Sequence, residues 1–538
     1  MKPPFQAAAL AAIVSLSSAS MAIEYQAPEA LVAPSAFKGV HGLAVDQHGR
    51  LLAGSVVGNS IYQVDIDNGA VTTFIGPDQG QADDIAIGPK GEMAWTGFYA
   101  GQLLIRDSDE APIRVVANDL PGMNSLGFNR ENGQLYASQV FLGDALWEVD
   151  PAGKQEPRLI AKDLGGFNGF EVGQDGWLYG PLWFKGDVVR INPADGTIET
   201  LATGFGTPAA ANFDSKGNLY AVDTLKGLLK RIDLSSGETT DIAQLNTSLD
   251  NLAIDSQDRI FVSNMADNSI QEVNPATGKV RLITGGELAV PAGITLTEDG
   301  QTLYVADVFA FRKVDTTTGQ VTDLRRAHGS DVEYPISVGL GKERLLLTSF
   351  STGTLQVISR SDESTLHLLH GLDAPSGAVE LDNGDIVVSE LGSGKLLRLS
   401  GANLEQREEL ATGLQGPVQM IRGRDGQIYL TEMAGFLTRV NPANGKIERL
   451  AEGLQLPEGL AETADGRFIV AESSAKRLLR INPVSGEQEV IASNLPIGFP
   501  AGPGMPPTGI PTGVAVAADG SIYFSSDIDN GLYRLSAQ

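Results

Sequence analysis

A segment of about forty residues recurs along this chain, and no other feature narrows its fold as far. Successive units read "HGLAVDQHGRLLAGSVVGNSIYQVD", "ADDIAIGPKGEMAWTGFYAGQLLIRD", "MNSLGFNRENGQLYASQVFLGDALWEVD", "FNGFEVGQDGWLYGPLWFKGDVVRIN", "PAAANFDSKGNLYAVDTLKGLLKRID" and "LDNLAIDSQDRIFVSNMADNSIQEVN". Six more begin "PAGITL", "PISVGL", "PSGAVEL", "PVQMIRG", "PEGLAET" and "PTGVAVA", making twelve. Each unit is a short apolar strand, an Asp-Gly-like turn such as Asp299-Gly300 or Asp425-Gly426, and a second strand such as "LYVAD". A third strand such as "LLRIN", a Gly-containing turn and a fourth strand complete it. Four antiparallel strands per unit make a propeller blade. A helical solenoid would need apolar residues at helix spacing, which these units lack.

Twelve blades on one axis would leave an unfilled hole, and propellers hold about four to eight. The pattern therefore predicts an all-β chain of two tandem six-bladed β-propellers, residues 23–290 and 291–538. The last unit stops after its third strand, "GLYRLSAQ", and "EYQAPEALVAP" near the N-terminus is expected to supply the missing fourth. A ring closed that way exposes no sheet edge. By the same logic "GKVRLITGGELAV" is expected to leave the first ring and close the second. The insertion "LPIGFPAGPGMPPTGIP", residues 495–511, interrupts the repeat and is expected to cover one mouth of the second ring.

Composition excludes several functions. The chain has no cysteine, which removes disulfides, thiolate metal sites and a cysteine nucleophile. A formal charge of −27 repels nucleic acid and anionic membranes and attracts cations. Residues 1–22 read as a secretory signal: Lys2, an apolar stretch Ala7–Leu16 and a small-x-small site at Ser20-Met21-Ala22. A periplasmic or secreted protein is expected. No later apolar run is long enough to span a membrane.

The strand heads are the chemical anomaly. Asp and Asn are disfavoured in strands, yet "LDNLAID" opens with Asp250-Asn251. The innermost strand of a blade lines the central channel, so its head rings one mouth. Around the first ring the heads are His41, Asp83-Asp84, Asn124-Ser125, Asn168-Gly169, Ala209-Ala210-Ala211 and Asp250-Asn251. The second ring reads Ala292-Gly293, Ile336-Ser337, Ser376-Gly377, Val418-Gln419, Glu458-Gly459 and Thr512-Gly513, with Glu458 its only charge. Packed carboxylates repel one another, and a cation relieves that. Carboxylate and amide oxygens in an irregular cage suit Ca²⁺, with Mg²⁺ or another divalent cation as alternatives. The turn-forming habit of Asn and Asp is the competing explanation for each residue taken singly. Trp95, Phe98, Tyr99 and Trp183 on second strands are candidates for a substrate wall, and all four tryptophans lie in the first half.

These heads resemble the gluconolactonase (SMP-30-like) and paraoxonase superfamily of six-bladed, calcium-dependent lactonases and esterases. "ADDIAIGPKGEMAW" is similar to its acid-pair strand, "FNGFEVGQDGWLYG" to its Asn-Gly strand and "LDNLAIDSQDRIFV" to its Asp-Asn strand. The resemblance implies Asp83, Asp84, Asn124, Asn168, Asp250 and Asn251 as metal ligands. "VHGLAV" resembles the strand of its catalytic histidine, implying His41. Here the alanine-headed blade separates the Asn-Gly and Asp-Asn blades, which are neighbours in those relatives. The expected function is calcium-dependent hydrolysis of a lactone or related ester with small-molecule substrates, His41 or Asp250 serving as base. No Gly-x-Ser-x-Gly elbow surrounds a serine, which disfavours a triad hydrolase. Two rival readings stand. "PVQMIRGRDGQIYLTE" resembles repeats of streptogramin lyase, and "LYVAD…VDTTTGQV" resembles NHL-type scaffolds, which bind protein partners on a flat face.

Overall fold

The computed structural model describes residues 25–537. The secretory-signal reading of residues 1–22 falls outside them. Every regular element among the described residues is a strand, forty-eight in all, in twelve four-stranded antiparallel sheets. Among the described residues no helix is long and apolar enough to cross a membrane.

The sheets form two rings of six. Innermost strands of consecutive blades touch, and the ring closes when Leu249–Ile254 of blade six meets Leu43–Val45 of blade one. The second ring closes between Val514–Val516 of blade twelve and Ile294–Leu296 of blade seven. Second strands are buried throughout, as in Leu51–Ser55 and Ile428–Glu432, because both faces pack on neighbouring blades. Outer strands alternate or face water, as in Gln406–Thr412.

The strand Glu29–Val32 completes blade twelve, pairing antiparallel with Leu532–Leu535, with Val32 opposite Leu532. A segment preceding the first ring thus covers the last open edge of the second. The expectation for "GKVRLITGGELAV" is corrected: Val280–Thr284 stays in the first ring as the fourth strand of blade six, paired with Ser269–Val273. Its register with that strand buries a full blade, and one N-terminal strand already suffices for the second ring.

The two rings meet with their strand-head mouths facing. Phe309, in the turn between Thr302–Asp307 and Ala310–Asp315, reaches over blade one, where Gly39 (φ +70°) leaves it room; a Cβ there would lie 2.1 Å from the Phe309 ring. Val57, Met265 and Ala266 of the first ring share one apolar cluster with Ala292, Phe309, Ile336 and Ile510 of the second. Polar ties lock blades six, one and two to the second ring. Arg326 pairs with Asp267 at 2.7 Å, Ser248 Oγ donates to Ala327 O at 2.5 Å, and Lys38 Nζ donates to Ile528 O at 2.7 Å. The 495–511 insertion also reaches the first ring: Pro503 O accepts from Gln81 Nε2 at 3.0 Å.

Candidate functional site

Backbone irregularities turn the polar heads inward. The ladder of blade six breaks between Leu249 and Leu252, where Asp250 and Asn251 sit, and that of blade three breaks between Met123 and Ser125, at Asn124. Such bulges re-aim side chains toward the strand end, so residues that would disturb a regular strand instead face the channel mouth. Gly42 permits close approach of blades one and two, because a Cβ there would lie 2.4 Å from Asp83 O.

Three heads converge. His41 Nδ1 lies 3.1 Å from Asp83 Oδ1 and 3.4 Å from Asp250 Oδ2, and one ligand atom from each residue falls within 4.8 Å of the others. His41 is buried, and its Nε2 has no partner. Burial alone would pull the imidazole pKa down; hydrogen bonds and charge from Asp250 and Asp83 outweigh that and raise it to about 10. Burial pushes the Asp83 carboxyl up, with His41 opposing, and pushes Asp84 well up.

The other predicted ligands form a layer around this triad. Asn124 Nδ2 donates to Asp83 Oδ2. Ser125 Oγ lies 2.9 Å from both Asn124 Oδ1 and Asn168 Oδ1, and accepts from Gly169 N at 2.8 Å. Asp84 and Asn251 pair with each other, Asn251 Nδ2 donating to Asp84 Oδ1 at 3.1 Å, while Leu126 N donates to Asp84 Oδ2 at 3.3 Å. Thr96 Oγ1 accepts the backbone N–H groups of both Asp83 and Asp84 at 3.0 Å. Blade five brings only small apolar residues, Ala209–Ala211, to the mouth.

Of the expected wall residues, Trp95 is displaced from that role. It is fully buried between blades one and two, its Nε1 donating to Gln79 O at 2.6 Å, so it fills the core. Tyr99 stacks edge-on with Phe98 and hydrogen-bonds Ser351 of the second ring. Trp183 packs 4.8 Å from His328 of the second ring. His328 in turn lies 2.5 Å from Tyr334 Oη through Nε2, and Phe309 packs 5.4 Å from His41. Sequence reasoning missed these second-ring residues because they occupy no strand head. Their one signal was length: residues 327–336 and 494–513 are longer blade connections than their neighbours in that ring, and both lie against the first. The concavity of about 240 Å³ beside Asp46, Arg50 and Asp109 lies away from the triad.

Fold and site define a class: a head-to-head pair of six-bladed propellers whose first ring carries a buried acid–imidazole centre. Comparison with known proteins adds little to that class. Residues 166–297, spanning blades four to six, match a family described as a repeat of unknown function (DUF6923). No curated protein matches the chain. Among solved structures it is similar to the extracellular domain of a proposed hybrid two-component system from B. thetaiotaomicron, at 11% identity and a TM-score of 0.33, over 95% of this chain and 83% of that one. A likeness of that score carries no functional argument.

Proposed function

We propose that this protein is an exported, divalent-cation-dependent hydrolase of a lactone or related ester, with calcium the first cation to test. The observation that carries the reading is the convergence of His41, Asp83 and Asp250 from blades one, two and six on one buried point. Two carboxylates and an imidazole nitrogen form a donor set fitted to a divalent cation once the His41 proton leaves. Asn124 and Asn168 stand behind them with amide oxygens held by Ser125. A bound cation would polarise the carbonyl of an ester and stabilise the oxyanion formed on attack.

The chain's own groups supply the rest. The unpartnered Nε2 of His41 is a buried donor awaiting an acceptor, and leaving it unmade costs about 1–3 kcal/mol. A substrate oxygen would satisfy it. Asp250, the most exposed of the three side chains, is placed to take a proton from water. Asp84 and Asn251 hold the heads of blades two and six in register.

The scaffold reading keeps one observation of its own: two carboxylates flanking an imidazolium are already neutralised in part without a metal. Calorimetric titration of the metal-stripped protein with Ca²⁺, Mg²⁺, Mn²⁺ and Zn²⁺ separates the two. The hydrolase reading expects one site, lost in Asp250→Ala and weakened at least tenfold in Asn168→Ala, and hydrolysis of lactones or 4-nitrophenyl esters that needs the cation. Failure of every cation to bind leaves the scaffold reading; a product with a new C=C bond would make the protein a lyase.

A further inference from the structure

An unbroken series of ring contacts leads from the buried centre to the surface. His41 packs on Phe309 at 5.4 Å between centroids, Phe309 on Tyr334 at 5.8 Å, and Tyr334 on His328 at 5.3 Å. His328 packs on Trp183 at 4.8 Å, Trp183 on Phe141 at 5.4 Å, and Phe141 on Phe184 at 5.7 Å. The outer end is exposed, 43% at Phe141 and 61% at Phe184, whereas Phe309 and Trp183 are buried and Tyr334 and His328 between them are half-buried. Both rings build the series, and it emerges at blades three and four, away from the locked side formed by blades six, one and two.

Two details argue against ordinary packing. Large aromatics are seldom left in water side by side, yet Phe141 and Phe184 are, with Leu142 also exposed beside them. Phe141 is also held at φ +67°, with Leu142 N donating to Val140 O at 2.8 Å. That is the strained hand of the γ-turn, an outlier for a bulky side chain, and it presents the ring over Trp183. Midway along the series His328 Nε2 and Tyr334 Oη bond each other.

We infer that this series of rings is the recognition wall for the apolar part of the substrate, an alkyl or aryl group on a neutral ester or lactone whose carbonyl reaches the His41–Asp83–Asp250 centre. The inference rests on the hydrolase reading. The chain's charge of −27 disfavours anionic ligands at the same entrance. Rotation of Phe141 and Phe184, exposed side chains that move in picoseconds to nanoseconds, would part the outer rings, while Trp183 and Phe309 stay packed.

The test is fluorescence titration of the full mature protein with 1-aminoanthracene, a neutral aromatic probe, reading energy transfer from tryptophan. One site is expected, with affinity at least tenfold lower in the Phe141→Ala, Phe184→Ala double variant and in Phe184→Asp. Trp183→Phe should retain binding but lose most of the transfer. Leu282→Ala and Val484→Ala, at positions 60% and 94% exposed elsewhere, should bind the probe as wild type does. Equal binding by the double variant, or equal loss in the controls, would overturn the wall. So would sedimentation showing self-association of the wild type that the double variant abolishes, since the patch would then be a contact between copies. A parallel assay with 4-nitrophenyl acetate and octanoate keeps the two readings apart. Hydrolysis of both at equal efficiency refutes the wall alone, whereas no hydrolysis with probe binding intact refutes the reaction and leaves the wall standing.

Discussion

Replacing Arg312 by methionine tests how the rings are held face to face. Arg312 is buried in the second ring, and its Nε donates to Asp307 Oδ2 at 2.6 Å. Its remaining nitrogens reach the Asp323 carboxylate and the Ala266 carbonyl of the first ring. Asp307 is fully buried and also accepts from Val290 N at 2.6 Å and Ala289 N at 3.0 Å, where the chain crosses between rings. Methionine fills the volume but strands a carboxylate in a dry site, a change that costs about 3–5 kcal/mol. With a urea slope of about 3 kcal/mol per molar for a domain of this size, the far-UV circular-dichroism midpoint should fall by about 1–1.7 M. The pH dependence follows from Asp307. Burial already raises its carboxyl above the usual value, with Arg312 opposing, and losing Arg312 raises it further. A carboxyl raised in the folded state gives stability that is full below the unfolded value and is lost as pH rises through the folded one. The deficit should therefore be larger at about pH 8 than at about pH 5, and Asp307→Asn in the variant should recover more than half of it at the higher pH. A shift under about 0.3 M, or a deficit that grows on acidification, would refute the reasoning.

Three further outcomes are expected. Removing residues 25–32 should expose the Leu532–Leu535 edge and the apolar cluster around Val32, giving concentration-dependent light scattering. The tryptophan unfolding transition should hold, because all four tryptophans lie in the first ring. Asp527, raised to about 6 by burial against the opposing Phe499 N–H and Lys38, should make stability fall as pH rises from about 4 to about 6, and Asp527→Asn should flatten that slope in urea midpoints. Phe141→Gly should stabilise the fold by up to about 1 kcal/mol by releasing the left-handed turn, while lowering 1-aminoanthracene affinity.

Fold and blade count were legible because a propeller writes itself as a period: the turn at Asp299-Gly300 and the strand "LYVAD" recur with the same spacing wherever a blade is needed. The N-terminal closing strand was legible for a related reason, since the last unit visibly lacks one. Ring closure at blade six was misread because Val280–Thr284 has no sequence mark distinguishing a strand that stays from one that crosses over. At the site, the polar heads of blades one, two and six stand out in the sequence as His41, Asp83-Asp84 and Asp250-Asn251. Which of them meet was not legible, because a bulge of one or two residues decides where a side chain points. Trp95 and Trp183 show the same limit. Trp95 stands in the middle of a buried second strand and Trp183 just after one, yet the first sinks between blades and the second reaches the opposite ring.

The head-to-head arrangement explains why the two rings differ at their mouths. Glu458, the one charge among the second ring's heads, is buried and spends Oε2 on Thr512 N at 2.8 Å, so its charge is engaged within that mouth. Its outward-reaching parts are the connections 327–336 and 494–513, which carry His328, Tyr334 and Pro503 onto the first ring. The first ring does the opposite: its connections are short and its polarity is concentrated at the heads. A cover made of β-blades is rigid, and ties at Asp267, Ser248 and Lys38 fix it on the side of blades six and one. On the side of blades three and four, where Trp183 meets His328, the surface residues are Phe141, Leu142, Phe184 and Leu225. A polar centre reached past such residues would select ligands that are polar at one end and apolar at the other, while His41, Asp83 and Asp250, the three groups that converge, all come from the first ring.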